Sequence, residues 1–289
     1  MNNLRAMIFM IVGMATFAAG DAMLKLSSQS TPTGLVLITM GASGCLIFFT
    51  VCVLSGNKVF SRLFFHPIVM LRNLFEASAA YFLFQALALT ELSTVAAILQ
   101  AIPLILTLCA AIFLRETIGP RRWAAVAIGL LGVLIIIQPS SEGLKWADIL
   151  AVLGAVSLAL RDLASRLAPA EATTPLLSTY AFSMLVPVGI LVNLSDGAPW
   201  HIPSEAYTPL VLLVAFSVTG YYCVTTAMRV GDVSAVSPLR YFRLPFATVL
   251  AIILFSETPD TATILGAALV VGSGLFVMLR EAQIARRQA

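Results

Sequence analysis

Glu76 lies nine residues into one apolar run and Arg243 ten into another, in a chain where 60% of residues are hydrophobic and only 11% are charged. A charged side chain at the centre of a helix in hydrocarbon costs about 2.5 to 3.5 kcal/mol on insertion scales, so each needs a chemical reason to be there. Two reasons suit these residues. In the first, Arg240 and Arg243, one turn apart on a shared helical face, face a cavity and hold an anionic or hydrogen-bonding group of a small molecule, while Glu76 balances charge or exchanges a proton. In the second, Glu76 and Arg243 pair and hold two parts of the molecule together. Both apply if the pair breaks during a working cycle.

Other polar residues fall into the same runs. Asp21, four residues before Lys25, is expected to make an exposed i,i+4 pair or a gate contact. Arg72 and the Arg161-Asp162 doublet lie nearer a membrane boundary, where long side chains snorkel to water. Pro103 interrupts one run, and Pro238 and Pro245 interrupt another; bent helices at matching positions release carbonyls toward a cavity and point to a binding site. Gln100 and Tyr241 stand just before Pro103 and Pro245 and can hydrogen-bond a ligand there. Tyr81, Tyr222, Phe242 and Gln85 either line the same cavity, with rings suited to a planar ligand, or are core.

Enzyme chemistry finds no constellation. His66 and His201, the only histidines, fall in loops on opposite sides of the membrane and cannot share a metal. Cys45, Cys52, Cys109 and Cys223 lack the spacing of a metal or redox motif and read as packing residues. G-x-S-x-G, H-E-x-x-H and the phosphate loop G-x-x-x-x-G-K-[ST] are missing, so no catalytic residue, metal or cofactor is expected, and energy must come from a gradient or a partner chain. A net charge of +3 with no basic tract argues against nucleic acid. A receptor or assembly factor would need a larger soluble segment than 195–206, the longest loop expected.

The elements that must carry these residues are membrane helices. A mean hydropathy of +0.97 excludes a water-soluble fold. Spans long enough for a core of about 30 Å run over Leu4–Lys25, Gly34–Leu54, Pro67–Leu89, Thr94–Leu114 and Trp123–Gln138. Five more cover Trp146–Leu167, Pro175–Leu194, Tyr207–Met228, Val233–Phe255 and Ala262–Leu279. This threading gathers Arg5, Lys58, Arg62, Arg115, Arg121, Arg122, Arg166, Arg229 and the basic tail from Arg280 on one side, against Lys25 and Lys145 on the other. Both termini are therefore expected in the cytoplasm. Arg5 followed by an apolar stretch ending at Ala18, Ala19 and Gly20 imitates a signal peptide, but the charge asymmetry is better met with the segment retained as a first helix, which is the expectation here. Trp123, Trp146 and Trp200 fall at helix ends or in a loop, as headgroup anchors among membrane lipids. Small residues at Ala125 and Gly129, and at Ala268 and Gly272, allow close helix contact within a monomer or across a homodimer.

A shift of 141 residues overlays Leu114-Arg-Glu-Thr on Phe255-Ser-Glu-Thr, and Tyr81, Ala86, Ser93 and Gln100 on Tyr222, Ala227, Ser234 and Tyr241. The expected units are 1–140 and 141–289, with five helices each. Units with an odd number of crossings enter the membrane from opposite sides. The expected fold is therefore all-α and integral to the membrane, ten helices in two inverted five-helix repeats, an architecture of secondary transporters. A passive structural membrane protein is the bland alternative.

The repeat resembles the EamA unit of the drug/metabolite transporter superfamily. Arg72, Ala86, Ser93, Thr94, Pro103, Glu116, Gly129 and Gly132-Val133 carry the resemblance in the first half, and Ala227, Ser234, Glu257, Gly266 and Gly274 in the second. It implies ten helices, cytoplasmic termini, and a small-molecule substrate taken without ATP at a central cavity between the halves. The second half departs from the pattern in placing Arg240, Arg243 and Pro245 in its fourth helix, with Pro245 one residue out of register with Pro103. Members of the superfamily are associated with amino acids, nucleotide-like compounds, sugars and vitamins, and the subgroup includes riboflavin and S-adenosylmethionine importers. The expected function is metabolite transport across a bacterial-type inner membrane, with riboflavin as the specific candidate. The alternatives are an amino-acid or S-adenosylmethionine-type exporter or importer. Glu116 and Glu257, equivalent in the repeat, read as structural contacts at helix ends.

Overall fold

The computed structural model describes every residue except 1, 57–58, 60–61, 114–118, 139–144, 170, 231–236 and 289. Apolar runs in hydrocarbon must satisfy their backbone groups internally, and each folds as a helix. The chain passes through α1 (Asn2–Ser28), α2 (Thr33–Leu54), a 3-10 turn at Arg62–Phe65 and α3 (Pro67–Leu89). The fourth span is in two pieces, α4 (Leu92–Leu99) and α5 (Ile102–Phe113), and α6 (Pro120–Ile137) follows. The second half comprises α7 (Trp146–Leu167), α8 (Thr174–Ser195), α9 (Ser204–Val230), a 3-10 stretch at Ser237–Phe242 leading into α10 (Arg243–Phe255), and α11 (Thr261–Gln288). Counted as spans these are ten, the third and sixth with the expected bounds and the last running past Leu279.

Proline opens α3, α6 and α8 in the first turn, where its missing N–H has no helical partner to lose. Inside the fourth span, Pro103 cannot donate to the Leu99 carbonyl. The helix unwinds across Gln100 and Ala101, whose N–H groups reach back only to the carbonyls of Ala97 and Ile98. In the ninth span, Pro238 lies in the 3-10 stretch, and α-helical geometry begins at Arg243, two residues before Pro245. Asp260 caps α11 by accepting from the Thr263 N–H at 2.8 Å. The Thr263 hydrogen bonds, with one from Gln138, hold its carboxyl below the usual range.

Among the described residues five segments, in α1, α2, the fourth span, α8 and α9, are long and apolar enough to cross a membrane on length and composition alone; α3 and α7 are not among them. Arg72, Asn73, Glu76 and Gln85 dilute the first, and Asp148, Arg161 and Asp162 the second. Large apolar side chains such as Leu46, Leu54, Leu191, Val211, Ile253 and Leu265 are exposed, while Leu37, Leu87, Ile98, Leu104 and Val270 fill the core. Apolar surface outside as well as inside suits lipid as the solvent.

Helices pair across the halves: α1 on α9, α3 on α7, α2 on α8, α6 on α11 and α4 on α10. Exchanging the halves converts the first pair into the second and returns the α2–α8 and α6–α11 pairs to themselves, whereas the repeat mate of α10 is α5 rather than α4. The symmetry reaches individual residues. Gly13 lies against Val224, and their repeat mates Gly154 and Leu83 also meet. The backbones of Gly34 and Gly189, and of Gly132 and Gly266, are close enough that a Cβ on either glycine would strike the other's carbonyl. Of the expected small-residue contacts, Gly129 packs on Leu104 and Ser273, whereas Gly272 faces open space.

Candidate functional site

Two ionic clusters occupy the bundle, one toward the end bearing the termini and one toward the opposite end. At the terminus-bearing end, Arg72 and Glu76 project from successive turns of α3. Arg72 Nη2 meets Glu76 Oε2 at 3.2 Å, and Arg161 Nη1 on α7 meets Glu76 Oε1 at 3.0 Å. Arg161 also holds Asp162 at 2.7 Å. Arg72 donates to Ser165 Oγ at 3.2 Å, to Asn73 Oδ1 at 3.3 Å and to the Leu177 carbonyl of α8 at 3.0 Å. Arg72 and Asn73 are buried, so Arg72 is not snorkelling to water but tying three helices together. Arg161 and Asp162, also read as snorkelling, are likewise bound to partners.

At the opposite end, Arg243 grips Asp21 through two nitrogens, Nε to Oδ2 at 3.0 Å and Nη2 to Oδ1 at 2.8 Å and to Oδ2 at 2.6 Å. The Phe17 ring lies 5.5 Å from the same guanidinium. One helical turn further, Lys25 Nζ contacts Glu257 Oε1 at 2.6 Å and donates to the Thr90 carbonyl at 2.6 Å. Glu257 also caps α4, accepting from Leu92 N at 3.1 Å, Ser93 N at 3.2 Å and Ser93 Oγ at 3.2 Å. A left-handed Ser256, at φ 54°, ends α10 and returns the Glu257 N–H to the Ala251 carbonyl at 3.2 Å, setting the side chain toward α4. Over this contact opens a cavity of about 730 Å³ whose walls include Gln29, Glu91, Lys145, Trp146 and Phe255.

The expected pairings therefore change. Glu76 pairs with Arg72 and Arg161 rather than Arg243, and Asp21 pairs with Arg243 rather than Lys25. Helical depth fixes the level of a charge in the membrane but not the direction in which it points, and each acid met a base from the other half at its own level. Tyr222 is 63% exposed, on the face of α9 opposite the Ser217, Gly220 and Val224 stripe that packs on α1, so it does not line the contact between those helices. Tyr81 and Gln85 are half-buried, and Tyr81 stands 5.4 Å from Phe82. Phe242 is 43% exposed beside Phe246. Among the described residues, buried Gln100 Nε2, Tyr241 Oη and Arg240 Nε have no hydrogen-bond partner. The Tyr241 hydroxyl rests on the bare Cα of Gly274. Glu257 acts as a helix-end contact; Glu116 lies outside the described residues.

Residues that the sequence reading set aside, Lys25 as an exposed i,i+4 partner and Arg72, Arg161 and Asp162 as snorkelling side chains, carry much of the site. The repeat held the signal. Position 217, the mate of Glu76, is serine and lies against Gly20, the mate of Arg161. The backbone contact is thus symmetric, and its charge occurs in one copy only.

A sequence profile described as the EamA-like transporter family matches residues 4–138 and again 145–279. The chain belongs to the EamA-like transporter family. The two matches start 141 residues apart, the shift at which the sequence overlays itself, and membership places the chain in the drug/metabolite transporter superfamily. Among its relatives, a riboflavin transporter of Rhizobium johnstonii is 30% identical over 67% of this chain and 64% of its own length. An S-adenosylmethionine uptake transporter of Rickettsia prowazekii is 23% identical over 68% and 66%. A riboflavin transporter of Vibrio cholerae is 28% identical over 66% and 64%. The chain thus spans just under two thirds of the length of these relatives. One crystal structure, 19% identical, superposes on this EamA-family chain with a TM-score of 0.60 over 93% of this chain and 96% of the other, a likeness of fold.

Proposed function

We propose that this EamA-family chain is a secondary transporter carrying a small organic metabolite across a bacterial-type inner membrane by alternating access. Residues 1–140 and 141–289 act as its two repeats, and both termini lie in the cytoplasm. The observation that carries the proposal is that three ionic contacts, Asp21 to Arg243, Lys25 to Glu257 and Glu76 to Arg161, each join one half to the other. In an inverted repeat these are the contacts that change when one half rocks against its mate.

The ends differ. At the end away from the termini, α1 meets α3 through Lys25 and Thr90, while among the described residues the repeat mates α7 and α9 have no comparable packing. The Lys25–Glu257 contact is the latch of the closed outer entrance, and the pathway faces the cytoplasm. Relatives bearing the riboflavin name, with arginines set near Phe17, Tyr241 and Phe242, support a planar polar substrate, riboflavin first. The S-adenosylmethionine relative keeps that compound and amino acids as the alternatives, in either direction.

The test is flux of labelled riboflavin, S-adenosylmethionine and amino acids in proteoliposomes, with and without a pH gradient. Saturable, ATP-independent flux of one of them, altered by Glu257→Gln, supports the proposal. No flux of any of them in correctly folded protein counts against it.

A further inference from the structure

We infer that Arg240, and not Arg243, is the substrate-contacting cation of the ninth span, and that it takes a group presenting acceptor oxygens: an imide or carbonyl face, or a carboxylate. The inference rests on the proposed transport cycle in placing that group on a substrate held between the halves.

Arg243 is already neutralised by two-nitrogen contact with Asp21. Lys25, Arg72 and Arg161 each meet a carboxylate as well. Among the described residues Arg240 meets none, and its buried Nε has no partner. A guanidinium does not lose its proton in a protein, so the charge and its donors stay in place until something accepts from them. The backbone gives the direction. Residues three apart eclipse along a 3-10 helix, so Arg240 shares a face with Arg243, whose guanidinium is aimed at Asp21 and Phe17 of α1. The 3-10 stretch itself packs on α1. Arg240 therefore stands on the α1 side of the bundle, one turn nearer the terminus-bearing end than the Asp21 pair.

The other two unpartnered polar atoms at the breaks are donors as well. Gln100 Nε2 and Tyr241 Oη belong to residues only 5% and 6% exposed, and the two residues are repeat mates. The Tyr241 hydroxyl lies against Gly274 of α11, away from α1, so on the α1 side it is the unmet Arg240 donor that calls for a group rich in acceptors. A compound whose exposed groups are cationic finds a like charge here, which selects against it.

The experiment uses the full chain in proteoliposomes, with Cys45, Cys52, Cys109 and Cys223 replaced by alanine and a single cysteine at Phe17. Its reaction with an anionic sulfonatoethyl thiosulfonate and a cationic trimethylammonioethyl thiosulfonate is compared, each normalised to a free thiol. The anionic reagent is expected to be favoured by about tenfold, with the preference lost in Arg240→Gln and kept in Arg240→Lys. An unchanged ratio in Arg240→Gln overturns the inference, as does failure of both reagents to react, which would mean that ligands do not reach this face. Riboflavin flux is the second arm, with KM in Arg240→Gln expected to rise at least tenfold at near-constant kcat. A charge preference that depends on Arg240, without flux of any metabolite, leaves the anion-receptive site standing and removes the transport reading. Flux with unaltered KM does the reverse.

Discussion

At Asp21 both carboxylate oxygens meet a single guanidinium, with the second layer, Lys25 and Glu257, one helical turn away. Breaking a buried pair by removing one partner leaves the other charge uncompensated, at a cost of about 3 to 5 kcal/mol, whereas replacing both by apolar residues is often neutral. Asp21→Asn is therefore expected to lower thermal stability in detergent markedly, while the double change Asp21→Leu with Arg243→Met recovers most of it. Flux stays absent in the double variant if the pair works in the transport cycle, and returns with stability if the pair is only structural. Sequence reasoning placed Glu76 and Arg243 near the midplane from their depth along a helix and Asp21 in an exposed pair with Lys25. The partners it assigned were the wrong ones, because each true partner lies on a distant segment and depends on the helix neighbours that the fold selects.

Among elements, the fourth and ninth spans change geometry within hydrogen-bond reach of Pro103 and Pro245, the residues that the sequence singled out. Without an N–H at position 103 the Leu99 carbonyl has no helical donor. Pro103→Ala is expected to restore that bond and close the gap at Gln100 and Ala101, raising the melting temperature while slowing flux several-fold. Equal flux with a raised melting temperature would assign the break to packing alone. The third and sixth helices were legible to the residue because Pro67 and Trp146 mark their starts sharply. The 3-10 character before Arg243 was not, since Pro238 and Pro245 mark an interruption without naming the geometry that fills it. The polar content of α3 and α7, which weakens their membrane signal, is also what makes them the helices of the ionic cluster at the terminus-bearing end.

For the whole molecule, the repeat told most. A 141-residue overlay of scattered identities anticipated the inverted fold, and the family profile matches twice at the same spacing. The overlay does not say which end is closed, since that depends on where the halves differ: on Glu76 and Arg161 against Ser217 and Gly20, and on the latch at Lys25 and Glu257. Transport by alternating access requires that the halves move and that the latch end open. The direct measurement puts cysteines at Gln29 of the first half and Lys145 of the second, both lining the cavity over the latch, in the cysteine-free chain. A cleavable bifunctional thiol reagent then bridges them in proteoliposomes while metabolite flux is followed. Bridging is expected to arrest flux and cleavage of the bridge to restore it; flux continuing at full rate through fully bridged protein would contradict movement of the halves.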